Sequence, residues 1–334
     1  MEKIRWGILA TGGIAHQLAE AITNQPDADC LAVGSRSQQS ADAFGDKWGI
    51  PRRYATYEAL AADPDVDVIY IATPHNLHYE NMKLCLNAGK HVLCEKSLTV
   101  NAAEAQECMA LAQEKGLFLM EAMWMKFMPS IQQVQAWIAN GRIGHIRLLQ
   151  ANFAFNIPFD PNGRLYDPNL AGGALLDMGV YPATLAHLLL GKPARILSAA
   201  HLGQTGVDEL NTSIWEYADG AQAVITSTQR LERPCDAFIV GTEGYIYLHA
   251  NFWHCQTVTI KPHGGQPETV QMPYEGNGYG YEVREVQDCV RAGRLESAVV
   301  TQADTLEIMT LLDEMRVQWG LVYPNEQMLP KSTE

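Results

Sequence analysis

Gly7-Ile8-Leu9-Ala10-Thr11-Gly12-Gly13-Ile14-Ala15 is the stretch whose reading decides the fold. It closes an apolar run, Ile4–Ala10, that reads as a strand, and it opens a helical pattern over Ile14–Thr23. A strand, a glycine turn and a helix in immediate succession form the start of a βαβ unit. The spacing GxGxxG/A falls on Ala10, Gly12 and Ala15, with alanine at the first position. In that context Gly12 lets the backbone approach a pyrophosphate, and the helix that follows offers free N–H groups and the positive end of its dipole. Ala10, Thr11, Gly12, Gly13 and Ile14 are therefore expected to cradle a dinucleotide.

Working outward, the alternation continues. Cys30–Ser35 reads as a strand, Ser40–Trp48 as a helix, and Val66–Thr73 as a continuous apolar strand of the kind buried on both faces. Asn76–Ala88 is a helix closed by Gly89, His91–Glu95 a strand, Ala102–Lys115 a helix closed by Gly116, and Leu117–Ala122 a strand. Apolar strands joined by amphipathic helices predict a doubly wound parallel sheet, an α/β Rossmann domain over residues 1–122. The end of its second strand distinguishes two cofactors. A carboxylate there suits the ribose 2′-hydroxyl of NAD, whereas this chain reads Gly34-Ser35-Arg36-Ser37 with no acid before Asp42. A guanidinium offers paired N–H donors to a phosphate. Ser35, Arg36 and Ser37 thus predict NADP as the preferred cofactor, with NAD possible.

Ligands of such sheets bind at the carboxyl ends of the strands. Two polar segments lie there: Thr73-Pro74-His75-Asn76-Leu77-His78, and Cys94-Glu95-Lys96-Ser97. Lys96 is placed near the reacting ring by topology, where a lysine can orient or deprotonate a hydroxyl. His75 and His78, three apart, lack further ligands for a metal, and no metal is expected. After residue 122 the rhythm changes. Hairpins are expected at Asn211–Tyr217 with Gln222–Thr228, and at Ala237–Val240 with Tyr245–His249. Helices are expected at Pro129–Asn140, within Gly172–Leu190, at Tyr281–Ala292 and at Ala303–Trp319. Residues 123–334 thus read as an α+β domain with a large, mainly antiparallel open sheet, expected to bind substrate and to dimerise. Within it, Asp177 and Tyr181 share a face if helical, and the paired glycines Gly172-Gly173 permit close approach of a ligand.

Together these segments resemble the glucose-fructose oxidoreductase/inositol dehydrogenase family. The residues that carry the likeness are GILATGGIA, GSRS, TPHNLH, AGKHVLCEKSLTVN and GGALLDMGVY, in order across residues 7–181. Glu121–Pro129, Gly206-Val207-Asp208 and Phe252-Trp253 are most similar to its dimeric dihydrodiol dehydrogenase branch, whose members also act as NADP-dependent D-xylose dehydrogenases. The resemblance implies a hydride transfer between the nicotinamide and a small sugar or diol. It implies that Lys96 and Tyr181 handle the substrate proton and that Asp177 binds the substrate hydroxyl. Glu95 would lie near the nicotinamide ribose, and Thr73, Pro74, His75 and His78 along the cofactor. Trp124, Phe153 and Trp253 would line the substrate pocket with Asp177 and Tyr181. The family's proline after the lysine is Ser97 here.

Composition narrows the alternatives. The formal net charge of −14 disfavours nucleic acid and anionic membrane surfaces as partners. No uninterrupted apolar run reaches the ~18 residues of a membrane span, and the N-terminus does not read as a secretory signal. The seven cysteines form no CxxC and read as reduced thiols of a cytoplasmic protein. No GxxxxGK[ST] loop and no legible Ser-His-Asp set point to a kinase or hydrolase. Two other readings fit the same cofactor end: a sensor that binds NADP without turnover, and an enzyme that keeps its nucleotide and cycles between two sugars.

Overall fold

The computed structural model describes residues 3–326. The chain forms two compact units. One comprises residues 3–127 with 274–306, the other residues 128–273 with 307–326. The segment 274–306, which a boundary at residue 122 leaves in the second half, thus belongs with the first unit.

The first unit begins with β1 (Ile4–Leu9), α1 (Gly13–Thr23), β2 (Ala28–Gly34), α2 (Gln38–Trp48), β3 (Arg52–Tyr54) and α3 (Tyr57–Ala61). It continues with β4 (Val68–Ile71), α4 (His78–Asn87), β5 (His91–Cys94), α5 (Ala102–Lys115) and β6 (Leu119–Glu121). The six strands lie in the order β3-β2-β1-β4-β5-β6, all parallel. Val68–Ile71 is buried throughout, as a strand covered on both faces must be. The order reverses between β1 and β4, which opens a crevice at their carboxyl ends. Helix starts and stops follow local chemistry: Ser37 and Asn101 cap α2 and α5, and Gly49 and Gly116 end them in the left-handed conformation. The short β3 and α3 carry no periodic signal. β3 is a polar edge strand held by Arg52, whose guanidinium pairs with Asp63 and Asp65 at 2.6 Å each.

The second unit holds α6 (Pro129–Ala139), β7 (Ile146–Ala154), α7 (Val180–Leu190) and β8 (Arg195–Leu202). Then follow β9 (Asp208–Glu216), β10 (Gln222–Thr228), β11 (Ala237–Gly241), β12 (Gly244–Leu248), β13 (Thr257–Pro262) and β14 (Glu268–Gln271). Its sheet runs β14-β13-β12-β11-β7-β10-β9-β8. Every neighbouring pair is antiparallel except β7 with β10. Both expected hairpins form: β9 pairs with β10, and β11 with β12. α7 packs on β7 and β10. Pro168–Leu190 is apolar and long enough to cross a membrane by length and composition, yet 72% of its window is buried inside the protein, as a core segment requires. The helix α8 (Gly280–Arg291) belongs to the first unit and packs on α1, with Arg291 paired to Asp27 at 2.7 Å. The helix α9 (Gln302–Trp319) runs from the first unit into the second. All seven cysteines are free, and six are buried.

Candidate active site

At the carboxyl ends of β1, β2 and β4 lies a cavity of about 560 Å³. Ala10, Thr11 and Gly12 line it from the first turn, Ser35, Arg36 and Ser37 from the second, and Pro74 from the third. Gly12 precedes α1 in an extended conformation, and no side chain caps that helix. A Cβ added at Gly12 or Gly13 would meet nothing within 4 Å. The protein's own packing therefore does not demand glycine at either position, and the open space sits over uncapped N–H groups at a positive dipole end. That cradle fits a dinucleotide pyrophosphate. Ala10 holds φ at 86°, the left-handed region where the fingerprint usually has glycine, and its N–H bonds the Gly34 carbonyl at 2.9 Å. Among the described residues, no acid lines the cavity. Asp42 instead accepts from Gln38 at 3.0 Å on the exposed side of α2. Arg36 is exposed; burial pushes the Tyr57 phenol's pKa up, against the smaller downward pull of the Arg36 charge. Ser37 divides its duties, because its Oγ accepts the Ser40 N–H at 3.2 Å as the cap of α2. A second cavity of about 570 Å³ lies at the opposite, N-terminal end of the strands. Its arginines are taken up by Asp67 and Asp27, and its Lys90 by two backbone carbonyls.

The loops after β4 and β5 are tied together by histidine. His78 is fully buried, with Nε2 at 2.8 Å from the Thr73 carbonyl and Nδ1 at 3.0 Å from that of Ser97. Both ring nitrogens face backbone oxygens, so His78 holds the loops rather than reaching along a cofactor. Burial lowers its pKa, against the pull of those carbonyls. His75 Nε2 lies 3.2 Å from the Lys96 carbonyl. Thr73 accepts from Asn81 at 3.2 Å. Glu95 is buried and accepts the Tyr70 hydroxyl. The Lys96–Ser97 peptide bond is cis. Behind this loop, Glu121 at the end of β6 accepts the Leu98 N–H at 3.0 Å and the Thr305 hydroxyl at 3.2 Å. Trp124, in a 3₁₀ turn, stacks on Tyr279 with centroids 4.2 Å apart.

In the second unit, Phe153 from β7 and Trp253 from the 3₁₀ turn Phe252–His254 stack at 3.9 Å, nearly parallel. Tyr181, in the first turn of α7, brings its ring to 5.3 Å from Phe153 and 5.9 Å from Trp253. Asp177 sits one turn earlier in a π-helical segment, Leu175–Gly179, a wider winding than the α-helix the spacing suggests. Its carboxylate accepts from Arg164 at 2.9 Å. The paired glycines serve another purpose than the sequence suggests. A Cβ on Gly172 would strike the backbone of Arg164 and Leu165 at 2.8 Å, and one on Gly173 would strike Asp208 at 2.2 Å. They make room for the protein itself. The structure thus gathers Asp177, Tyr181, Phe153 and Trp253 in one unit, and Lys96, Glu95 and Trp124 in the other.

Two family profiles match the chain: an oxidoreductase family with an NAD-binding Rossmann fold over residues 4–123, and the Gfo/Idh/MocA C-terminal domain over residues 131–247. The chain belongs to the Gfo/Idh/MocA oxidoreductase family. Trans-1,2-dihydrobenzene-1,2-diol dehydrogenase from Mus musculus is 34% identical over 97% of this chain and 99% of its own length. The protein of that name from Homo sapiens is 33% identical over 97% and 99%. A 3-ketoreductase from Actinomadura kijaniata, solved in complex with NADP and TDP-benzene, superposes with a TM-score of 0.87 at 27% identity, covering 95% of this chain and 98% of that one. An aldose-aldose oxidoreductase from Caulobacter crescentus shares the fold, with a TM-score of 0.87 at 23% identity over 96% and 100% of the two chains.

Four side chains near these groups escape sequence reasoning. Tyr57 and Ser40 line the nucleotide cavity from outside any motif. Arg164 meets Asp177 from a loop thirteen residues earlier in the chain. Tyr279 meets Trp124 from more than 150 residues away in sequence. Ser40, three residues after Ser37, and Arg164 lie close enough to a motif for their positions to have been a signal.

Proposed function

We propose that this oxidoreductase transfers a hydride between NADP and the hydroxyl or carbonyl carbon of a small sugar or related diol. The observation that carries the reading is the composition of the nucleotide cavity. Open glycines face a helix N-terminus, Arg36 stands at the end of β2, and no carboxylate lines the wall. When bound, the nucleotide supplies the hydride chemistry. Gly12 and Gly13 would admit its pyrophosphate, and Arg36, with Ser35 and Ser37, its 2′-phosphate. Glu95 would accept a ribose hydroxyl, and Lys96 would supply positive charge at the reacting centre. Asp177 would hold a substrate hydroxyl, and Tyr181 would exchange its proton. Phe153, Trp253 and Trp124 present flat apolar faces suited to the C–H faces of a sugar ring or to an unsaturated ring. The relatives' names, diol dehydrogenase and ketoreductase, support that substrate class.

The same reading takes the protein as a homodimer in the cytoplasm. One row across the sheet of the second unit runs Leu197, Ile214, Val224, Gln150, Phe238, Tyr247 in register. Leu197, Ile214 and Phe238 are 39%, 37% and 36% exposed, an apolar stripe that a second copy would cover. Free, mostly buried cysteines accord with a reducing compartment. A panel of aldoses, inositols and cyclic diols, assayed for NADP reduction at alkaline pH, tests the activity. Turnover of at least one class is expected. Tight NADP binding with no turnover on any member would favour a nucleotide sensor and overturn the reading.

A further inference from the structure

Asp208 opens β9 and is completely buried. Its Oδ2 accepts two bonds of 2.8 Å, one from the backbone N–H of Leu175 and one from Nδ2 of Asn211. Leu175 is the first residue of the π turn that carries Asp177. The carboxylate therefore does for this turn what a capping side chain does for an α-helix, taking up a donor that the winding leaves orphaned. Asn211 Nδ2 also reaches Ser227 Oγ at 2.7 Å. Ser227 Oγ lies against Gly179, the last residue of the turn, where an added Cβ would come within 2.8 Å of it. Asp208, Asn211 and Ser227 thus underlie the turn from its first residue to its last. Gly173, at φ 122°, leaves the room that Asp208 Oδ1 occupies.

The surroundings fix the charge state of this carboxyl. From α9, Arg316 pulls on it electrostatically, while Asp313 and Glu326 hold Arg316 at 2.6 and 2.7 Å. Tyr323 packs beside it, with its hydroxyl given to the Gly172 carbonyl at 2.7 Å. From β9 and β10 it is faced by the neutral Asn211 and Ser227. Burial pushes Asp208 up to about 7, against the pull of Asn211, the Leu175 N–H and Arg316.

We propose that Asp208 is a positioning residue for the reaction: its grip on the first N–H of the π turn sets the aim of the Asp177 carboxylate, and loss of its charge loosens that aim. The inference rests on the reading of Asp177 as the group that binds the substrate hydroxyl. Hydrogen bonds to an ionised acceptor are about twice as strong as neutral ones. Substrate binding should therefore weaken as pH falls through neutrality, while nucleotide binding, which involves other residues, should not.

The test is kcat, KM and NADP affinity across about pH 5.5 to 9 for the wild type, Asp208→Asn, Asn211→Leu and Asp177→Asn. Asp208→Asn should raise KM roughly ten- to a hundredfold, the cost of a small misplacement. It should leave the NADP dissociation constant unchanged and flatten the acid limb of kcat/KM. Asn211→Leu removes one donor to the carboxylate, so the limb should move to higher pH. If Asp208 served stability alone, Asp208→Asn would lower the melting temperature yet keep the wild-type KM and pH profile, and the proposal would be overturned. Should Asp208→Asn fail to fold, an unmoved limb in Asn211→Leu overturns it equally. Asp177→Asn separates the two levels. A wild-type KM in that variant defeats the reading of Asp177 itself. A raised KM there, with unaltered Asp208 and Asn211 variants, defeats only the positioning role.

Discussion

Glu121 Oε1 accepts the backbone N–H of Leu98 at 3.0 Å, so a carboxyl at the end of β6 holds the loop in which Lys96 stands two residues earlier. That carboxyl is completely enclosed. Burial pushes it up to about 7, against the pull of the Leu98 N–H, the Thr305 hydroxyl and the charges of Lys126 and Lys96. Lys126 is itself paired with Asp304 at 2.8 Å.

The first prediction concerns stability. A carboxyl whose folded pKa is raised keeps its proton in the folded state after the unfolded chain has lost it. Stability should fall as pH rises from the ordinary glutamate value to about 7, and stay level above that. Glutamine has the same shape, can accept from Leu98 and can donate to Thr305, but never ionises. The melting temperature of Glu121→Gln relative to the wild type should climb from pH 5 to pH 8, with a total gain of roughly 3 kcal/mol. A pH-independent difference between the two proteins would sink the assignment.

Cofactor choice is the second. A charge-assisted bond to phosphate contributes roughly 1.5–3 kcal/mol, or about ten- to a hundredfold in affinity. Arg36→Ala should weaken NADP binding by that factor and leave NAD binding nearly unchanged, as read by titration calorimetry. Tyr57 lines the same cavity as Arg36, so Tyr57→Phe, which removes its hydroxyl, should weaken NADP by a smaller factor. Equal dissociation constants for NADP and NAD in the wild type would contradict the role given to the second strand end.

Assembly is the third. The exposed row of Leu197, Ile214 and Phe238 should be covered in solution by the same row of a second copy. Light scattering at micromolar concentration should give twice the chain mass. Ile214→Asp with Phe238→Asp places charge on that face and should give a folded monomer. A wild-type monomer would remove the argument.

Sequence legibility followed periodicity and local motifs. The strands of the first unit, β3 apart, and the hairpins β9–β10 and β11–β12 were readable because their burial alternates or is continuous over several residues. β3 and α3 were not, being three and five residues long, with β3 held by the pairing of Arg52 to Asp63 and Asp65. Ala10, Gly12 and Arg36 were legible because a dinucleotide fold fixes their places relative to strand ends. His78 misled because its spacing shows that it follows a strand but not that backbone carbonyls flank both its nitrogens. Asp208 stood in a recognised Gly206-Val207-Asp208 segment, yet its partner Leu175 is more than thirty residues away. The winding of Leu175–Gly179 was also hidden, since five residues of π-helix and five of α-helix read alike.

The last prediction concerns the proton. Tyr181 is buried, its ring packed beside the stacked pair Phe153 and Trp253. Tyr181→Phe keeps the ring and those contacts, so the variant should fold. It removes the atom that would carry the substrate proton, and turnover should fall by roughly a hundredfold or more, the usual share of general acid–base catalysis. NADP affinity should be unchanged, because the nucleotide cavity is built from other residues. Lys96→Met should behave differently, lowering turnover and weakening substrate binding together, since that residue is assigned to charge at the reacting centre. A substrate deuterated at the oxidised carbon shows whether hydride transfer limits the rate in each variant. If hydride transfer is limiting and Tyr181→Phe still turns over at the wild-type rate, the proton belongs to another group. Lys96 would then be the first to examine, because its loop is held by His75, His78 and Glu121.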